Sequence, residues 1–213
     1  CRTVFHIGAQ LSGGAASLIL TNVVGSRRLV EACAGTEGSR FVLVSSIAVC
    51  DTHNLPSGGD GGVSLPLERM PPLRDPYTFS KVEQEMATAK LCAELRLPLV
   101  VVRPSVIYGP NRDCFSGRVG LRLGRLALVA GGRHSLPYTH VENCAKAIVL
   151  AGEVPAIEGE AFNIVDDDAP TAGAVIRACR RSANPIRPIW IPYFLLKRLA
   201  AFNEWYHFRS EGQ

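Results

Sequence analysis

Two short runs constrain this chain more than anything else in it. Phe41-Val42-Leu43-Val44 and Leu99-Val100-Val101-Val102 are apolar at every position, with no polar residue to mark a solvent face. A strand that reads this way is buried on both faces, the condition of a central strand in a parallel sheet. Residues 3–8 read as another strand, built on Val4-Phe5-His6-Ile7 and closed by Gly8-Ala9. From about Ala15 to Ala34 a helical pattern places Leu18, Val23, Leu29, Val30 and Ala32 on an apolar stripe, and Gly35 and Gly38 end it. A second helix is expected from Tyr77 to about Glu94. Strand, helix, strand, helix, strand implies right-handed βαβ units and a parallel sheet. Ligands of such sheets bind beyond the carboxyl ends of the strands. Gly8-Ala9, Ser45-Ser46 and Arg103-Pro104 occupy those ends.

Beyond residue 111 the pattern loosens. Arg118–Ala130 is expected as a helix and Pro137–His140 as a short strand. Val141–Ala151 reads as a helix, Ala161–Val165 as a strand, Thr171–Ser182 as a helix and Pro192–Trp205 as a last helix. The division is residues 1–110 for the sheet domain and 111–213 for a smaller α/β lobe, with some elements returning to the sheet. The stretch between Ser46 and Asp75, which holds Gly58-Gly59-Asp60-Gly61-Gly62, is long enough to be a functional loop.

Composition removes several classes of function. The formal charge of +4 is scattered, with no Lys/Arg run or aromatic ladder for a nucleic acid. Seven cysteines stand far apart without a CxxC pair, which fits free thiols in a reducing compartment and argues against a zinc site. No stretch of about 18 apolar residues is present to span a bilayer, and a cytoplasmic location is the expectation. The chain opens on Cys1-Arg2-Thr3 and runs at once into a strand, so both ends read as cuts through a longer protein.

Tyr77-x-x-x-Lys81 is the stretch with chemistry in it. On a helix the i, i+4 spacing puts phenol and ammonium on one face. A fixed positive charge favours phenolate, so the tyrosine is expected to fall from about 10 toward working pH. Such a group can take or give a proton at a hydroxyl or carbonyl. Other features read more plainly. His6 and His140 are structural histidines. Asp166-Asp167-Asp168 forms a solvated turn ahead of the Thr171 helix. The aromatic residues Trp190, Tyr193, Phe194, Trp205 and Tyr206 pack in a core or interface, and Tyr108 belongs to a turn. Nothing next to Cys50 would lower its pKa. Gly117-x-x-Gly120-x-x-x-Gly124 follows no opening strand and is not a dinucleotide loop.

Seven segments in order resemble the extended short-chain dehydrogenase/reductases, the NAD-dependent epimerase/dehydratase group. They are Val4–Ala9, Asn22–Gly25, Val44–Val49, Tyr77-x-x-x-Lys81 with Ser80, Arg103–Pro110, Tyr138–Asn143 and Phe162–Ile164. The resemblance implies a partial Rossmann-type parallel sheet, its first βαβ units missing, with a C-terminal substrate lobe. It makes Tyr77 the acid/base, Ser46 the partner that orients the reacting oxygen, Lys81 the holder of the nicotinamide ribose and Asn22 a support for a water and the lysine. Gly8, Ala9 and Ser45 would face the cofactor, with Tyr77, Lys81, Pro104, Ser105 and Val106. Ser46, Arg112 and Arg133 would meet substrate. The cofactor is NAD or NADP, the discriminating residue lying upstream with the glycine-rich loop.

The substrate implied is a secondary alcohol or ketone, first a sugar nucleotide. A hydrophobic hydroxy/keto compound, steroid-like or flavonol-like, is the alternative, and a non-catalytic relative a third reading. Leu136 stands where sugar-nucleotide epimerases often carry Arg, and Cys50 where a tyrosine is common. A homodimer through the two long helices is compatible with the pattern, and a metal is not part of it.

Overall fold

The computed structural model describes residues 2–35, 39–51, 65–68, 75–110, 115–130, 135–181, 185–192, 195 and 198. In chain order it begins with β1 (Thr3–His6), α1 (Ala15–Leu18), a π-helical stretch (Ile19–Val24), α2 (Gly25–Cys33) and β2 (Arg40–Val44). A short 3₁₀ helix (Ile47–Val49), α3 (Pro76–Glu94), β3 (Leu99–Pro104) and β4 (Val106–Tyr108) follow. The rest is β5 (Gly120–Leu123), β6 (Leu126–Ala130), β7 (Tyr138–His140), α4 (Val141–Glu153), β8 (Ala161–Ile164), α5 (Ala172–Arg180) and β9 (Arg187–Ile191). The chain divides into two compact units, Cys1–Ile107 with Thr139–Asp166 and Tyr108–Tyr138 with Asp167–Gln213.

The first unit is built on a parallel sheet of order β1-β2-β3-β8. Val42 stands beside Val100 and Val44 beside Val102, and Pro104 pairs with Ile164. The expectation from the unbroken apolar runs holds, and the period of two explains it. Phe41 and Leu43 point to one side, against Val30, Cys92 and Leu97. Val42, Val44, Val100 and Val102 point to the other, against Cys144, Ile148 and Ala151 of α4. Each face needs hydrocarbon because each is covered. β1 lies at the sheet edge, with Phe5 40% exposed.

Two helices depart from a simple apolar stripe. The long helix expected over 15–34 forms, but it runs through the π-helical stretch at Ile19–Val24, and Ala32 faces solvent. Its buried residues are Leu18, Asn22, Ser26 and Val30, a stripe of period four whose middle is polar. On α3 the buried set is Thr78, Ser80, Lys81, Val82, Gln84, Glu85, Thr88 and Cys92. Polar residues this deep need partners, and those partners make up the site.

In the second unit the structure overturns one expectation. Residues 118–130 do not form a helix; β5 and β6 are an antiparallel hairpin, turned at Gly124 with φ +61°. Leu121 pairs with Leu128 and Leu123 with Leu126, an alternation of period two that the leucine content obscured. Gly120 is needed by the close approach of the strands, since a Cβ there would lie 2.1 Å from the Leu128 carbonyl oxygen. β9, parallel to β6, was not expected; among the described residues β9 pairs with β6 alone, an edge position where Pro188 is tolerated. α5 starts as read, with the Thr171 hydroxyl accepting from Ala174 N at 3.2 Å. Most of the helix expected over Pro192–Trp205 lies outside the described residues.

Candidate active site

Parallel strands deliver their carboxyl ends to one rim, so β1, β2, β3 and β8 bring Gly8, Ser45, Ser46, Pro104 and Ser105 to the same side of the first unit. Ser46 follows β2 by two residues and caps the 3₁₀ helix, its hydroxyl accepting from Ala48 N at 3.2 Å. Asp75 caps α3, accepting from Thr78 N at 3.0 Å and Thr78 Oγ1 at 2.7 Å, with Pro76 in the first turn. This cap fixes the first turn of α3, from which the Tyr77 phenol comes near enough to the Ser46 hydroxyl to feel it electrostatically. The two residues come from different elements and meet at the rim.

The electrostatics of Tyr77 differ from the sequence expectation. Burial raises its pKa above 10.0, the neighbouring Ser46 hydroxyl opposes the rise and the Asp75 carboxylate adds to it. Lys81 does not depress it because its ammonium is engaged elsewhere. Nζ donates to the Val44 carbonyl at 3.0 Å and to Gln84 Oε1, and the residue is 1% exposed. Burial pulls Lys81 down from 10.5 to about 8, with Glu85 opposing.

Asn22 binds the backbone after β1 and the residue beside Lys81. It sits in the π-helical stretch, a feature that often marks functional positions. Its amide makes a pair of hydrogen bonds with the Gln10 backbone, accepting from Gln10 N at 2.8 Å and donating to Gln10 O at 3.0 Å, and it donates to Ser80 Oγ at 3.0 Å. Asn22 therefore ties the segment after β1 to α3, next to the lysine and without a bond to it. Ser80 in turn donates to the Tyr77 carbonyl at 2.8 Å.

The other candidates fall as follows. Gly8 and Ala9 follow β1, and a Cβ at Gly8 would meet nothing within 4 Å. The Ser45 and Ser105 hydroxyls are buried without a partner. Pro104 ends β3 and Val106 begins β4. Arg112 and Arg133 lie outside the described residues. Leu136 is a buried core residue of the second unit, 4% exposed. Asp166 is no mere solvated turn, for it accepts from Thr139 Oγ1, His140 N and Asn143 Nδ2 and so secures the start of α4. Among the described residues no cluster of His, Cys, Asp or Glu could hold a metal ion, and no helix is long and apolar enough to cross a membrane. The described cysteines form no disulfide.

Sequence reasoning missed two groups here. Gln84, Ser26 and His6 form a buried polar cluster around Lys81. Glu85 and Arg103 form a buried ion pair behind Cys50. The spacing of three and four from Lys81 put Gln84 and Glu85 on its face, a signal that their polarity hid.

Residues 1–164 match the NAD dependent epimerase/dehydratase family. No curated protein matches the chain. Among solved structures it is similar to the UDP-glucuronic acid 4-epimerase of Bacillus cereus in complex with NAD. That likeness has a TM-score of 0.66 at 19% identity and covers 89% of this chain and 63% of that one. The dTDP-glucose 4,6-dehydratase of Bacillus anthracis, also with NAD, gives 0.64 at 21% identity over 89% and 60%. The UDP-glucose 4-epimerase of Thermotoga maritima with UDP-glucose gives 0.62 at 23% identity over 90% and 64%. The chain thus spans less than two thirds of the length of each of these proteins, and they share its Rossmann-like fold.

Proposed function

Because the chain belongs to the NAD dependent epimerase/dehydratase family, we propose that the rim of its first unit is the acid/base side of an NAD(P)-dependent reaction at a secondary alcohol or its ketone. The observation that carries this is the approach of the Tyr77 phenol to the Ser46 hydroxyl at the carboxyl end of a parallel sheet. Tyr77 exchanges the proton of the substrate hydroxyl, and Ser46 holds the same oxygen in line. With its phenol kept protonated by burial, Tyr77 is prepared to give a proton to a carbonyl. It becomes a base only when a ligand or Lys81 stabilises the phenolate. Lys81 holds ribose hydroxyls of the cofactor, and Asn22 steadies the segment after β1 on which the cofactor lies.

NAD(P), when bound, supplies the hydride acceptor and donor. The residues present fit that group. The Ser45 and Ser105 hydroxyls are buried at the strand ends without a partner, and the face over Gly8 is open. Two of the three Lys81 protons are used by protein, which leaves one for a ligand hydroxyl. We assign substrate selection to the second unit.

A sugar nucleotide is the first substrate class, in keeping with the UDP-glucuronic acid 4-epimerase and the UDP-glucose 4-epimerase that the chain is similar to. A hydrophobic hydroxy/keto substrate is the second, favoured by Leu136, which offers buried hydrocarbon and no charge to a diphosphate. Titrating the full-length protein, with NAD, against UDP-glucose, UDP-glucuronic acid and a panel of hydrophobic ketones separates the two. Replacing Tyr77 by Phe is expected to leave NAD binding near the wild-type level and to remove turnover. Turnover that survives Tyr77→Phe disproves the assignment.

A further inference from the structure

The ammonium of Lys81 is oriented by a chain of side chains that begins on β1. Gln84, one turn along α3, accepts from Lys81 Nζ through Oε1 and donates from Nε2 to Ser26 Oγ at 2.6 Å. Ser26 donates to the Asn22 carbonyl at 2.5 Å, one turn back in its own helix. Its single proton is then spent, so the His6 ring at 2.7 Å must donate from Nε2 into the serine oxygen. Gln84 Nε2 and His6 Nε2 stand 3.4 Å apart as two donors aimed at the same acceptor. The amide of Gln84 has one workable orientation, because reversal would set its NH₂ against the Lys81 ammonium. Every member except His6 is buried, with Ser26 at 0%, Gln84 at 1% and Lys81 at 1% exposure.

We propose that Gln84 is the positioning residue for Lys81: anchored by Ser26, with His6 holding the anchor, it fixes the ammonium under the carboxyl end of β2. This rests on the reading of Lys81 as part of the reaction site. A lysine has four rotatable bonds and would otherwise sample many positions in a buried space. The Val44 carbonyl gives it one fixed contact; Gln84 gives the second and so sets its direction. The charged and titratable groups facing Lys81 are Glu85 of α3 and His6 of β1, and Glu85 is itself paired with Arg103. Since the Gln84 bond is made to the charged form, it favours the ammonium.

The test is an NMR titration of the Lys81 ammonium in the cofactor-free chain, assigned by the signal lost in Lys81→Met. Gln84→Met, which keeps the length and removes the acceptor, is expected to make the ammonium about tenfold easier to deprotonate, the weight of one hydrogen bond to a charged group. Gln84→Glu is expected to shift the midpoint the other way, and Ser26→Ala to shift it as Gln84→Met does, but less. If Gln84→Met does not fold, the near-isosteric Gln84→Glu carries the test alone. A midpoint that neither Gln84 variant moves overturns the proposal. The outcome is separate from that of the reaction: a Lys81 that responds to Gln84, in a protein whose turnover survives Tyr77→Phe, leaves this assignment standing and removes the proposed chemistry.

Discussion

Arg103 and Glu85 form a two-pronged ion pair inside the first unit, with Arg103 Nε 3.1 Å and 3.2 Å from the two carboxylate oxygens and Nη2 also bonded. Both side chains are nearly sealed from water, at 6% and 5% exposure. The same guanidinium donates from Nη1 to the Leu65 carbonyl at 2.9 Å, next to the bridge between Cys50 and Leu67. One residue at the end of β3 therefore joins α3 to the backbone beside the site.

Removing one partner strands the other charge where water cannot reach it. Glu85→Leu and Arg103→Met are each expected to lower the unfolding free energy by roughly 3–5 kcal/mol in urea. The double variant Glu85→Leu/Arg103→Met should lose less than the two single losses combined, because no charge remains unpaired. Additive losses would show that the pair is solvated in practice.

The sheet of the first unit was legible because its reasons are local. Phe41–Val44 and Leu99–Val102 carry their two-sided burial in their own composition. The hairpin at 120–130 was not, since Leu121, Leu123, Leu126 and Leu128 suit either element until pairing chooses the period of two. At the site, Tyr77, Lys81 and Ser46 were found through spacing and order along the chain. Their electrostatics were not, because a pKa depends on where an ammonium actually points. Lys81 points at Val44 and Gln84, a partner that helical spacing permits without requiring.

Asp75 lets charge and capping be separated at Tyr77. It closes the first turn of α3 through Thr78, and its carboxylate raises the Tyr77 phenol. Asn caps a helix about as well as Asp, whereas Ala costs about 1 kcal/mol. Asp75→Asn is expected to keep stability within about 0.5 kcal/mol, and Asp75→Ala to lose about 1 kcal/mol. Both should bring the Tyr77 titration down, followed by NMR of the ring. A phenol unmoved by either change would remove Asp75 from the electrostatics of the site.

Asn22 is satisfied on both ends of its amide by the Gln10 backbone and Ser80. Asn22→Leu keeps the approximate volume and leaves Gln10 N–H and C=O without their partner. The expected loss is about 2–4 kcal/mol, the cost of orphaning polar groups near a buried residue. The loss should be local as well as global, with amide protons of residues 10–24 exchanging faster than those of β2 and β3. Uniform acceleration would mean that Asn22 supports the whole unit and not the segment after β1.

Lys81 sets the pH dependence of stability. Its pKa is about 8 in the folded chain against 10.5 for the free side chain. Between those values the unfolded chain holds the proton that the folded chain has released, so stability rises as pH goes from about 8 toward 10.5. Below 8 the buried ammonium costs the fold about 3 kcal/mol, the full weight of the shift. Tyr77 closes the window from above, since a phenol raised from 10.0 favours the folded state less once the unfolded tyrosines ionise. His6, lowered from 6.5 by burial and by Lys81, adds a separate rise as pH climbs toward 6.5 from below. Lys81→Met removes the middle rise and leaves the Val44 and Gln84 oxygens without their donor, which returns about 1–3 kcal/mol of the gain. Urea unfolding at pH 7 should find Lys81→Met more stable than wild type by on the order of 1 kcal/mol, with a flat profile from 8 to 10. A wild-type profile already flat across that window would mean that the ammonium is paired well enough to keep its ordinary pKa.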